Sequence, residues 1–172
     1  EPPIVVEPVE SQTYSFEQAT TTEGVELRAD SAYLTEVGSE VLWNFDVQVP
    51  GEYRITISYS TPDGSKQNTV VMGGSSTSQT LDSETPTSIS QVVQLDAGTH
   101  QAGILAQGND WGYMAVHSLQ IDLLGGLQIN SPANLSQLAT GSDVVVDFSK
   151  FGTSDFTYSL NGADAITYTG ES

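Results

Sequence analysis

The stretch VLWNFDVQVPGEYRITISY, residues 41–59, decides the fold class. Val41, Trp43, Phe45, Val47 and Val49 alternate with Leu42, Asn44, Asp46 and Gln48. A period of two marks a strand buried on one face. Pro50-Gly51 interrupts the run, and this pair signals a turn. Tyr53, Ile55, Ile57 and Tyr59 then alternate with Arg54, Thr56 and Ser58. The two runs read as a β-hairpin with its apolar side toward a core. On that reading Trp43, Tyr53 and Tyr59 are core residues.

The same grammar continues in both directions. Further strand candidates fall near 12–16, 25–29, 68–72, 78–82, 89–95 and 100–106, with a strong one at 115–123. Thr-Pro-Asp-Gly at 61–64, Gly73-Gly74, Thr85-Pro86 and Asp96-Ala97-Gly98 separate them. No window of about eleven residues keeps a helical period. About nine short strands spaced by turn signals predict an all-β antiparallel sandwich of the jelly-roll type.

The ends read differently. Residues 1–11, EPPIVVEPVES, hold three prolines and three glutamates and predict an extended linker. Gly125-Gly126 predicts a boundary, so the sandwich is expected over 12–125. Beyond it, Leu127, Ile129, Val144, Val146, Phe148, Phe156, Tyr158 and Leu160 suggest new short strands. An immunoglobulin-like sandwich takes about 100 residues, so 126–172 reads as a partial Ig-like β domain or a spacer.

Composition excludes several functions. The 172 residues carry 22 Asp+Glu against 4 Lys+Arg, a net charge of −18, and no cysteine. Such a surface repels the phosphates that a nucleic-acid binder must neutralise. No apolar run approaches the ~18 residues of a membrane-spanning helix. There is no disulfide framework and no thiol nucleophile. An acidic, cysteine-free β-protein suits a secreted, extracellular monomer, and a saline or marine exterior would screen its self-repulsion.

Catalytic motifs are missing. There is no G-x-S-x-G elbow, and His100 and His117 lack metal spacing. His117 falls with Ala115, Leu119 and Ile121 on the apolar side of its strand, where a buried, hydrogen-bonded histidine is expected. The informative segment is Gly108-Asn109-Asp110-Trp111-Gly112-Tyr113. An indole among turn formers, just before a strong strand, is expected to face solvent and stack on a sugar ring. Asn109 and Asp110 would bond the sugar hydroxyls. The competing reading has Trp111 folding back over the sandwich edge. Tyr113, and Tyr33 in the connecting segment Asp30-Ser31-Ala32-Tyr33-Leu34, are further stacking candidates. Lys66, in TPDGSKQN (61–68), and Arg28 are the cations expected near the loop end.

The order FEQA (16–19), VELRADSAYL (25–34), VGSEVLWNFDVQVPGEYRITISYS (37–60), VVQLDAGTH (92–100) and NDWGYMAVHSLQI (109–121) resembles carbohydrate-binding modules of families 6 and 35. The resemblance covers about residues 12–124 and implies a β-sandwich attached to a polysaccharide-degrading enzyme. It implies a glycan cleft among the loops at one end, with Trp111 stacking on a sugar and Tyr33 facing it. The family's last strand reads Asn-x-Asp, the Asn bonding ligand and the Asp helping to hold a structural calcium; Ala115 and His117 stand there in this chain. Glu17 and Glu26 remain as candidate ligands of that calcium.

With so few cations, a neutral glycan of the agarose, mannan, xylan or β-glucan class is the expected ligand. The function expected is a non-catalytic module covalently linked to a catalytic domain. The alternatives are an adhesion or structural domain of a surface protein, and a small β-sandwich polysaccharide lyase or hydrolase.

Overall fold

The alternation at 41–59 makes two strands with buried inner faces, but the strands belong to different sheets. The computed structural model describes residues 9–108, 113–131, 147–152, 156–158 and 166–168. Strands β1 (Ser11–Ser15), β2 (Thr20–Thr21), β3 (Val25–Leu27), β4 (Ala32–Leu34), β5 (Glu40–Val47) and β6 (Gly51–Ser60) form the first half. Strands β7 (Lys66–Met72), β8 (Ser75–Leu81), β9 (Thr87–Leu95), β10 (Gly98–Ala106) and β11 (Met114–Ser131) form the second. One antiparallel sheet runs β3-β4-β11-β6-β9; the other runs β2-β5-β10-β7-β8. There is no α-helix among the described residues, only a 3-10 turn at Phe16–Gln18. No helix among them is long and apolar enough to cross a membrane.

The expected hairpin is therefore an arch. β5 pairs with β10 and β2, while β6 pairs with β11 and β9. Val41, Trp43, Phe45 and Val47 approach the core from one sheet, and Tyr53, Ile55, Ile57 and Tyr59 approach it from the other. The connection crosses the sandwich, and Val49 within it is buried. A true two-residue hairpin joins β7 to β8, where Gly73 and Gly74 take φ of 61° and 89°. Successive positive φ values suit the strand twist, and glycine adopts them without strain.

Trp43 is fully buried, as expected, and its indole N–H donates to the Ser15 carbonyl at 2.8 Å. Tyr53 and Tyr59 are core residues too, and the Tyr53 hydroxyl donates to the Val49 carbonyl at 2.8 Å. Burial raises the pKa of both phenols, as it does for Tyr14.

β11 organises its sheet. One edge meets β6 along most of its length. The other edge meets β4 at Met114–Val116, β1 at Ser118–Asp122, and β12 (Asp147–Gly152) from Gly125 onward. β11 passes through Gly125-Gly126 without a turn. The glycines there serve a close approach: a Cβ on the facing Gly51 would strike the Gly125 carbonyl. A short ribbon of β13 (Phe156–Tyr158) and β14 (Ile166–Tyr168) lies further along the chain. At the other end of the sequence, Ser11 already belongs to β1, and the Glu10 carbonyl accepts from Leu123 N–H at 2.8 Å.

Candidate functional site

The connections β2–β3, β4–β5, β6–β7, β8–β9 and β10–β11 gather at one end of the sandwich. This follows from the pairing of β11, whose first residues meet the end of β4 and the end of β6. Buried polar side chains mark the same end: Ser39, Ser60, Thr61, Lys66 and Asn68. Thr61 ties two loops together, with its N–H to the Ser83 carbonyl at 2.6 Å and its hydroxyl accepting from Ser83 N–H at 2.7 Å.

Two tyrosines meet here. Tyr33 lies in β4, not in a connecting segment, because Ala32, Tyr33 and Leu34 pair with Val116, Ala115 and Met114. Tyr113 immediately precedes β11 and is 41% exposed. Their ring centroids are 6.2 Å apart at 64°, an edge-on contact. The Arg28 guanidinium lies 3.8 Å from the Tyr33 centroid and 5.3 Å from that of Tyr113. One face of Tyr33 is thus covered by a cation, an arrangement that the ring quadrupole favours. Arg28 also donates to Glu26 at 3.1 Å. That hydrogen bond, first among the causes, raises the pKa of the guanidinium. Tyr113 is therefore the ring of the pair with open surface.

The backbone of Tyr113 is held in turn. Its N–H donates to the Asp63 carboxylate at 3.0 Å, and the Lys66 ammonium donates to the Asp63 carbonyl at 2.9 Å. Lys66 is only 6% exposed. This corrects the expectation of a loop cation facing ligand: β7 turns Lys66 inward with Asn68, Val70 and Met72, so it acts through Asp63. Asn68 donates to the Lys66 carbonyl, while its own Oδ1 is buried without a partner. Asn109, Asp110 and Trp111 lie outside the described residues. Both flanks of their segment are described: Gly108 beside Gln67, and Tyr113 on Asp63.

His117 is half-buried and hydrogen-bonded through both ring nitrogens. Nε2 faces Ser60 Oγ at 3.1 Å and Nδ1 faces the Asp30 carbonyl at 3.2 Å. It sits in a β-bulge, where the register against β6 slips between Val116 and Ser118. The slip corrects the expected phase: core positions are Met114 and Val116 before it, and Leu119, Ile121 and Leu123 after it. Ala115 is fully buried yet lies outside the core cluster, on the outer face between Tyr33 and Ser60. Ser60 and His117 stand at the reach of a nucleophile and its base. Ser60 is only 6% exposed, however, and its histidine leans on a carbonyl instead of a carboxylate. The contact is a structural tie.

Calcium takes six to eight oxygens, backbone carbonyls among them; Glu26 faces Arg28, and no three His, Asp or Glu side chains converge among the described residues. Sequence reasoning missed Arg28 as a ring partner, and it missed Asp63. Arg28 and Glu26 stand two apart at the end of a strand, which is a legible same-side signal; the contact between Asp63 and Tyr113 spans fifty positions and had none.

The profile of the carbohydrate binding module (family 35) matches residues 5–124. The chain belongs to this family. A carbohydrate-binding module of this kind binds polysaccharide and is itself non-catalytic. Among solved structures, the mannan binding module from Man5C in its bound conformation is 41% identical, with a TM-score of 0.58 over 66% of this chain and 98% of that one. The GH26-CBM35 β-(1,4)-mannanase of Podospora anserina is 21% identical, with a TM-score of 0.54 over 66% of this chain and 28% of that one. CBM35 from Paenibacillus barcinonensis is 14% identical, with a TM-score of 0.54 over 64% and 97%. The last two likenesses concern the fold. No curated protein matches the chain.

Proposed function

We propose that the module binds a neutral β-mannan at the loop end, through Tyr113 and the adjoining segment that carries Trp111. The observation that carries this reading is the half-exposed Tyr113 ring, braced edge-on by Tyr33 and anchored at its backbone by Asp63. An aromatic ring presents an apolar face to the C–H side of a pyranose. Trp111 supplies the larger stacking face, with Asn109 and Asp110 bonding hydroxyls. The 41% identity with the mannan binding module from Man5C supports that polymer over agarose, xylan or β-glucan.

Charge points the same way. A polyanion needs accessible guanidinium or ammonium groups, yet Arg28 is engaged by Glu26 and Tyr33, and Lys66 is buried. The module's work is to raise the local concentration of a covalently linked catalytic domain on its polymer, outside the cell. The segment beyond residue 126 serves as an Ig-like unit or spacer in that assembly. Affinity gel electrophoresis of the whole chain tests the reading. Retardation by galactomannan or glucomannan, and none by alginate, is the expected result; retardation by xylan, agarose or β-glucan alone sinks the mannan assignment. Retardation in none of the gels sinks carbohydrate binding at this site.

A further inference from the structure

We infer that His117 is a positioning residue for glycan binding: it holds the tip of the β3–β4 hairpin so that Arg28 and Tyr33 stay packed against Tyr113. The inference rests on the loop-end reading above and adds a residue that the reading does not use.

The hairpin needs an anchor. Among the described residues β3 pairs only with β4, through three residues, and β4 meets β11 through three more. Its turn is closed by Arg28 N–H to the Ser31 carbonyl at 2.9 Å. Arg28, at the first position of that turn, reaches back over Tyr33 toward Tyr113. Any swing of the hairpin tip therefore moves the guanidinium off the ring.

His117 supplies the missing tie. The bulge leaves it without a partner in the β6 ladder, and bulges re-aim a side chain in this way. From that place its ring joins three elements: its own strand, Ser60 at the end of β6, and Asp30 at the hairpin tip. The chemistry of the partners sets the tautomer. A backbone carbonyl only accepts, so Nδ1 carries the proton toward Asp30. Nε2 then accepts from the Ser60 hydroxyl, which can turn to donate. Both partners are satisfied by a neutral ring. Charged and titratable neighbours on the hairpin are Asp30 itself, whose carboxylate accepts from Ser31 Oγ at 3.0 Å, and the Arg28–Glu26 pair.

The test titrates the full chain, His117→Leu, His117→Asn and Tyr113→Ala with mannohexaose by calorimetry. Melting curves and NMR of the Arg28 side chain accompany each. His117→Leu is expected to melt cooperatively and bind roughly fivefold to tenfold more weakly, the effect of one or two lost hydrogen bonds. His117→Asn, whose amide N–H donates toward Asp30, is expected to recover most of the affinity. In the unsubstituted chain the Tyr33 ring current is expected to displace the Arg28 side-chain resonances upfield; His117→Leu should return them toward random-coil positions. Unchanged affinity together with unchanged Arg28 resonances overturns the inference. If Tyr113→Ala binds as well as the unsubstituted chain, or no chain binds, the loop-end reading has failed and the Arg28 resonances alone decide on His117. If His117→Leu does not fold, the imidazole 15N spectrum of the unsubstituted chain decides: a protonated Nδ1 and bare Nε2 support the tie, and the opposite tautomer overturns it.

Discussion

Trp43 and Tyr113 both sit in or beside strands, and opposite means hold them. Trp43 is enclosed: its ring is fully buried between the sheets and its one polar atom is satisfied by the Ser15 carbonyl. Tyr113 is propped: its ring keeps open surface, and its place is set by the edge of Tyr33 and a backbone bond to Asp63. Enclosure turns ring area into fold stability, because apolar area leaves water on folding. Propping leaves that area in water. The sandwich thus uses one aromatic to hold its sheets together and leaves another open at the loop end.

The largest effect should come from breaking the enclosed side. Trp43→Ala removes a fully buried indole and should lower stability by about 3–5 kcal/mol, read as a fall in the urea midpoint. A smaller loss is expected from Gly51→Ala, since the new methyl collides with the backbone of Gly125. Overpacking of this kind costs about 1–3 kcal/mol, and should show in the same urea titration without reference to any ligand.

Tyr113→Ala sharpens the contrast from the propped side. Mannan affinity should fall by about 1–3 kcal/mol, by analogy with aromatic stacking on nucleobases. The melting temperature should hardly move; a melt that collapses would mean that Tyr113 belongs to the core. Alkaline titration separates the interior phenols. Tyr14, Tyr53 and Tyr59 have folded pKa values raised above 10.0 by burial. Their contribution is fully present below pH 10 and is lost as pH rises through the folded values, because the unfolded chain ionises first. A melting temperature that stays flat from about pH 10 upward would contradict this. The smallest change should follow Glu26→Gln, which frees an exposed guanidinium already resting on Tyr33. Stability should stay within error, while retention on an acidic polymer such as alginate should rise.

Alternation made the enclosed side legible. Every inward position of 41–49 and 53–59 is in the core, because a period of two leaves a half-buried strand no other choice. Pairing was less legible. Pro50-Gly51 and Gly73-Gly74 both signal turns, yet only the second makes a hairpin. The apolar Val49 beside Pro50 is the clue: a residue in a hairpin turn faces water, whereas this one is buried. The short strands β2 and β4 carry too few residues to show a period, so Tyr33 reads as loop. At the site, residue types were readable and partnerships were not. Arg28 reads as a free cation and Lys66 as an exposed one, because what engages or buries them lies on other strands. His117 reads as a buried polar residue, but the bulge that aims it leaves no mark in the alternation.

β11 runs unbroken from the loop end, through Gly125-Gly126, to the pairings with β12. A module anchored on polymer at its loop end and pulled through the chain that follows β11 is loaded along that strand. The force runs parallel to the strand, across hydrogen bonds that lie perpendicular to it, so the bonds to β6 share the load at once instead of opening one by one. A continuous strand loaded in this way resists being drawn out lengthwise.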